Sequence, residues 1–177
     1  MIPTADEYTW EFTVLATKGG NSTLSWDPSS FGDNGKELML YDLGLQRLID
    51  MRKEGRHVFD PKVSTRFKIY FGENLMGKIK PLGISLGEPY PNPSQGQATI
   101  GFTLPENNGH YQVRLDVYDM TGKKVATLVN GILSAGFYTY PWIFNFGDTP
   151  SGLYTYRMAV ATTGASEIKT RKIIVIK

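Results

Sequence analysis

Apolar and polar residues alternate from the start of the chain. Tyr8, Trp10, Phe12 and Val14 are interleaved with Thr9, Glu11 and Thr13, which sets four large side chains on one face of a strand. Leu24 and Trp26 repeat the pattern around Ser25. Asp27-Pro28 and Gly32-Asp33-Asn34-Gly35 then supply turn chemistry before Leu38 and Leu40. Phe67, Ile69 and Phe71, alternating with Arg66, Lys68 and Tyr70, give the last strand of this half. One segment fits two periods: Leu38, Tyr41, Leu45, Leu48 and Ile49 also have helical spacing, and Lys36 to Arg56 has no proline. Strand, turn, strand is preferred there, because Gly44 inside a helix costs about 1 kcal/mol relative to alanine and Tyr41-Asp42-Leu43-Gly44 makes a natural hairpin corner.

Gly72 to Pro93, rich in Gly and Pro, reads as a linker and domain boundary. Beyond it, strands are expected at Thr99 to Leu104, Gln112 to Tyr118, Lys124 to Val129, Phe137 to Trp142, Leu153 to Ala161 and Ile168 to Ile176, with turn residues between nearly every pair. Val113, Leu115 and Val117 face one way and Arg114, Asp116 and Tyr118 the other, so each strand has a core face and a solvent face. Leu38-Met39-Leu40-Tyr41-Asp42 before Gly44 echoes Leu115-Asp116-Val117-Tyr118-Asp119 before Gly122. The expected fold is therefore all-β: two immunoglobulin-like antiparallel sandwiches, residues 1–80 and 81–177.

Composition narrows the function classes. Residues 1–80 carry 11 basic and 11 acidic side chains and residues 81–177 carry 8 and 6, too even a balance to argue for nucleic acid. With no cysteine, neither a disulfide framework nor a thiolate metal site is available. No apolar run approaches the roughly 20 residues of a membrane-spanning helix. Met1 to Glu7 has neither the basic nor the apolar region of a secretory leader, so an exported form is expected to be longer than this sequence.

Catalytic candidates are few. His57 and His110 are expected to be solvent-facing or hydrogen-bonded, no triad can be assembled around them, and no catalytic residue or cofactor is expected. Asp116 and Asp119 read as a solvated face and a turn residue. Asp27, Asp33, Asn34 and Glu37 offer hard oxygen ligands for calcium, but their spacing fits no EF-hand and turn formation accounts for them. Trp10, Trp26 and Trp142 offer stacking faces for sugars, although Trp10 and Trp26 sit at inward phases where core packing is the expectation. Exposed, coplanar aromatics would mark a carbohydrate-binding module; buried ones would mark a spacer.

Several motifs of the second half occur in a familiar order. Pro89-Tyr90-Pro91-Asn92-Pro93-Ser94 precedes a strand at Thr99 to Leu104. A hairpin follows with Tyr118, Asp119, Gly122, Lys123, Val125 and Leu128, then Ala135-Gly136, Trp142, Ser151-Gly152-Leu153-Tyr154, and the closing Lys172-Ile173-Ile174-Val175-Ile176-Lys177. From Leu86 to Lys177 the chain resembles the type A C-terminal sorting domain of type IX secretion cargo proteins, with Pro91, Asn92, Pro93, Tyr118, Asp119, Gly122, Gly136 and Trp142 as motif residues. It departs from that pattern in Pro141 beside Trp142 and in a short loop from Ile143 to Pro150.

The resemblance implies a non-enzymatic address carried behind an exported protein. It implies passage through the periplasm to the cell surface or beyond, and partners comprising an outer-membrane translocon, a shuttle protein and a sortase. The sortase would cut between Gly72 and Leu86, and the mature cargo would be joined to anionic lipopolysaccharide. The first half resembles the spacer that often precedes such signals. Docking is expected at Lys172, Ile173, Ile174, Val175, Ile176 and Lys177 with neighbours Gly152 and Tyr154, by addition of a strand at an edge guarded by the two lysines. A carbohydrate-binding module is the alternative function. A scaffold like the immunoglobulin-like domain of flagellar hook-capping proteins shares the hairpin motifs but is disfavoured by the lysine-flanked last strand.

Overall fold

Strand pairing decides the segment that fits two periods. In the computed structural model, which describes residues 7–15, 20–107, 109–145 and 147–177, Lys36 to Arg56 holds strands β3 (Glu37–Asp42) and β4 (Arg47–Asp50) joined by a tight turn. Asp42 makes that turn: its Oδ1 accepts from the Gly44 and Leu45 amides at 2.8 and 2.9 Å. Gly44 is required by space, since a Cβ there would lie 2.3 Å from the Val63 carbonyl oxygen and 2.5 Å from Ser64 Oγ.

The chain divides into two compact units, Met1–Ile79 and Lys80–Lys177. In the first, β1 (Tyr8–Thr13), β6 (Arg66–Gly72), β3 and β4 form an antiparallel sheet in that order, and β2 (Ser22–Ser25) pairs with β5 (Arg56–Phe59) as a second, two-stranded one. Between them Leu38, Leu40, Ile49, Met51, Phe59 and Phe67 are buried. A one-turn helix, α1 (Leu75–Lys78), follows β6.

The small second sheet has a cost. Tyr8, Trp10 and Phe12 pair across to Phe71, Ile69 and Phe67, so Trp10 lies on the core face as its phase requires. Yet Trp10 is 48% exposed rather than packed. Two strands are too few to cover four, and the uncovered part of the face is a groove of about 400 Å³ walled by Trp10, Phe31, Leu38, Met51, Ile69 and Phe71 among others. Trp26 does pack against the core and donates Nε1–H to the Met51 carbonyl at 2.8 Å.

In the second unit all six expected strands form, several of them longer than the alternation alone marks: β8 (Gln97–Leu104), β9 (Tyr111–Tyr118), β10 (Lys124–Leu133), β11 (Gly136–Ile143), β12 (Gly152–Thr162) and β13 (Ala165–Val175). A short β7 (Ser85–Leu86) joins them. The sheets run β10-β9-β12-β13 and β11-β8-β7, with antiparallel pairing throughout. Their facing sides bury Ile100, Phe102, Leu104, Val113, Leu115, Val117, Tyr156, Met158, Ile173 and Val175 in one core, and Trp142 packs against Phe144 and Tyr154. The buried Tyr156 hydroxyl donates to the Gly87 carbonyl at 2.7 Å, and burial pushes its pKa far up. Pro141 does not end its strand: β11 is an edge strand, where a missing amide is tolerated, and Pro141 pairs opposite Thr99.

The segment read as a linker is largely folded. Beyond α1 and β7, Tyr90 bridges Thr99, and Pro89 and Ser94 are buried; the Tyr90–Pro91 and Asn92–Pro93 peptide bonds are cis. Between α1 and β7 the chain from Ile79 to Ile84 carries neither helix nor strand, and within it Leu82 is fully exposed. Local composition marks turns well, but it cannot show that a proline-rich stretch is held by strands distant in sequence.

Candidate functional site

The terminal strand is organised by alternation. β13 pairs with β12 from Thr162↔Ala165 to Gly152↔Val175 without a break. One phase, Ile173 and Val175, is fully buried opposite Tyr154 and Gly152. The other phase, Lys172, Ile174 and Ile176, faces solvent, with Ile174 45% exposed. The expected docking residues therefore separate. Ile173, Val175 and Tyr154 are core, whereas Lys172, Ile174, Ile176 and Lys177 are surface.

The proline motif closes the end of this strand. Asn92 Oδ1 accepts from the Ile174 amide at 2.9 Å, the Ser94 amide donates to the Ile174 carbonyl at 2.8 Å, and the Ile176 amide donates to the Ser94 carbonyl at 3.0 Å. Ser94 is itself buried, with its hydroxyl donating to the Gln97 carbonyl. Pro91 and Pro93 flank this clasp and are exposed. At Ile174 and Ile176 the edge of β13 is thus taken by the chain itself, which leaves no backbone there for an added strand.

Of the other motif residues, Tyr118, Asp119 and Gly122 belong to the β9–β10 hairpin. Asp119 caps the β9–β10 turn, accepting from the Thr121 and Lys123 amides at 2.9 and 3.0 Å and from the Thr121 hydroxyl. Gly122, at φ +82°, supplies the left-handed residue that the turn needs. Gly136 opens β11 and Trp142 is core. Gly152 would accept a Cβ without contact, so its backbone is not what demands glycine.

Asp116 is a correction. Although it lies on the outward face, it is only 3% exposed, because Thr127, Arg114 and Tyr118 close over it, donating at 2.6, 2.7 and 3.2 Å, with Lys124 Nζ 3.9 Å away. Burial alone would raise its pKa. The hydrogen bonds from Thr127, Tyr118 and Arg114, together with the Arg114 charge, outweigh that and hold the carboxyl below the usual aspartate range. Thr127 and Arg157 are its cross-strand partners, which spacing within β9 could not reveal. Arg157 lies over the Tyr118 ring at 5.3 Å and donates to its hydroxyl at 3.3 Å. Tyr118, Met120, Leu153, Thr155 and Arg157 line an open groove of about 490 Å³ on this face.

Elsewhere the candidate chemistry resolves into structure. His57 Nε2 donates to Asp42 Oδ2 at 2.7 Å and Ser64 Oγ donates to Asp42 Oδ1 at 2.6 Å, all three side chains being buried. The carboxylate sits between serine and histidine. Ser64 therefore donates its hydrogen bond to Asp42, not to an imidazole base, and the trio has no nucleophile exposed to a substrate. His110 is exposed, 3.3 Å from Ser134 Oγ. In the calcium-like loop Asp27 binds Ser29 and Ser30, Asn34 Oδ1 accepts from Arg52 and Lys36, and Glu37 accepts from the Leu75 amide. Among the described residues no cluster of acidic and histidine side chains suits a metal ion, and no helix is long and apolar enough to cross a membrane.

Comparison with known proteins fits the second unit. No curated protein matches the chain significantly. Among solved structures it is similar to dimeric latent PorU from Porphyromonas gingivalis, at 13% identity and a TM-score of 0.42, over 95% of this chain and 20% of that one. It is also similar to a β-glucuronidase from Parabacteroides merdae, at 14% identity and a TM-score of 0.35, over 88% of this chain and 28% of that one. The chain spans a fifth of the length of PorU. The model of the secretion system C-terminal sorting domain matches residues 88–177, from the segment leading into the clasp to the end of the terminal strand. Since that is more than half of the sequence, the chain belongs to the type IX secretion C-terminal sorting domain family.

Proposed function

We propose that the second unit acts as a detachable address for a larger exported protein, read at the outer membrane by the type IX translocon and its shuttle protein after passage through the periplasm. The matched family is a sorting signal rather than a catalyst, and its presence implies export toward the cell surface or the extracellular space. A sortase-like protease then cuts between Gly72 and Leu86, and the cargo is joined to anionic lipopolysaccharide. The first unit serves as the spacer in this reading. The family match over residues 88–177 carries the proposal. Within the cleavage window, Lys80 to Ile84 offers a protease the least structured backbone, around the exposed Leu82.

The test is a fusion of residues 73–177 behind a secreted fluorescent reporter, in bacteria with and without type IX machinery. Surface display with a new reporter terminus between Gly72 and Leu86, mapped by mass spectrometry, supports the role. Intact reporter retained in the periplasm of a strain that exports a known cargo sinks it.

A second reading belongs to the first unit and is favoured by the exposure of Trp10. Its ring stacks with Tyr8 at 5.5 Å and 20°, beside the apolar groove. A sugar ring laid against Trp10 would make this unit a carbohydrate-binding module. Saturable quenching of tryptophan fluorescence by soluble oligosaccharides supports that reading, and a flat titration removes it.

A further inference from the structure

The outward face of the sheet β10-β9-β12-β13 combines an apolar strip with an excess of positive charge. Cross-strand register sets Leu153 beside Ile174 and Thr155 between Tyr118 and Lys172. Leu153 and Ile174 are both partly exposed, Ile176 continues the row, and Met120 stands exposed at the hairpin tip. Single exposed apolar residues are ordinary, but here they adjoin one another around a groove.

Four strand cations lie on this face, Arg114, Lys124, Arg157 and Lys172. Two carboxylates lie near them: Asp116, which already takes Arg114 and approaches Lys124, and Asp119, which lines the groove and is taken up by the Thr121 and Lys123 amides of its own turn. Among the described residues no carboxylate forms an ion pair with Arg157, Lys172 or Lys177. The other phase of β13 differs, because Lys169 pairs with Glu167 and Arg171 with Glu88. The uncompensated cations thus frame the apolar strip.

The edge of β13 offers much less. Its C-terminal part is closed by Asn92 and Ser94, and the rest carries Glu167, Lys169 and Arg171, charges that discourage strand addition. Resting on the sorting role proposed above, we infer that the signal is read on this outward face by an acidic protein surface. That partner sets an apolar side chain into the groove between Tyr118, Met120 and Leu153 and places carboxylates against Arg157 and Lys172. Tyrosine and arginine are the residue types that most often anchor such contacts, and charge complementarity selects the partner. The two faces of β13 then divide the labour: Ile173 and Val175 hold the fold together, and Lys172, Ile174 and Ile176 are presented.

The test uses the whole chain, residues 1–177, fused behind a secreted reporter in a type IX bacterium, with Lys172→Glu alone, Lys172→Glu with Arg157→Glu, and Leu153→Asp. Thr139→Glu, exposed on β11 of the other sheet, is the control. Each purified variant is checked for an unchanged thermal melt; Lys172 is exposed and forms no ion pair among the described residues, so that variant is the one expected to keep the fold. The double reversal should lower export by about ten-fold, with Lys172→Glu between it and the wild type and Thr139→Glu unchanged. Wild-type export with undiminished export of all three face variants overturns this inference and leaves the sorting role standing. Failure of the wild-type fusion removes both. Binding of the purified chain to vesicles containing phosphatidylglycerol but not to phosphatidylcholine alone, lost in Lys172→Glu, overturns the assignment to a protein and points to an anionic lipid surface.

Discussion

The two units solve the same packing problem differently. The second closes three strands over four and fills the gap with apolar side chains from both sheets, so its outward-facing residues are not needed to complete the core. The first has only two strands to set against four, leaves Trp10 and its groove open, and keeps its corner together with a buried carboxylate that accepts four hydrogen bonds. A full core tolerates single losses by graded amounts. A polar hub does not, because removing its centre strands every donor at once.

Asp42→Ala should therefore show the largest effect. It leaves His57 and Ser64 buried without their acceptor, and urea unfolding should show the first unit destabilised by about 3–5 kcal/mol while the second keeps its own transition. If both transitions move together, the contrast between the units is wrong. Next comes Ile173→Ala, expected to cost the second unit about 3 kcal/mol, whereas Ile174→Ala, one residue away on the solvent face, should cost less than about 1 kcal/mol. Equal losses would mean that the faces of β13 are not divided as described.

Smaller still is Asn92→Ala, at about 1 kcal/mol for one exposed hydrogen bond, seen best as faster exchange of the Ile174 amide. Smallest is a pH effect. Because Asp116 titrates lower in the folded state than in the unfolded one, its stabilisation is complete above the ordinary aspartate value of about 3.9 and fades as the pH falls through its folded value. Thr127→Val removes one of its donors and should move the acid-unfolding midpoint of the second unit upward, with no change in the first.

Much of this was legible in the sequence, and the remainder shares one cause. Alternation located the strands of the second half and chose a hairpin over a helix at Lys36 to Arg56, because period and turn chemistry are local. It assigned Trp10 its correct face but could not tell that the opposing sheet is too narrow to cover it. It placed Asp116 outward yet could not count the donors that adjacent strands bring. The clasp joins residues about eighty positions apart, so the proline motif read as an open linker. The residues expected to dock were read as a block; pairing with β12 was needed to sort them into inward and outward halves.

The clasp also bears on when the domain becomes whole. Asn92 and Ser94 lie near the start of the second unit and Ile174 and Ile176 near its end, so these bonds close a long loop and are expected to form after the intervening strands have paired. Loop-closure entropy grows only slowly with separation, so the delay is one of order rather than of energy. The Ile174 amide, donated to a side chain rather than to a neighbouring strand, is thus a built-in clock hand: its protection in pulse-labelled hydrogen exchange should appear after that of the β9 and β12 amides.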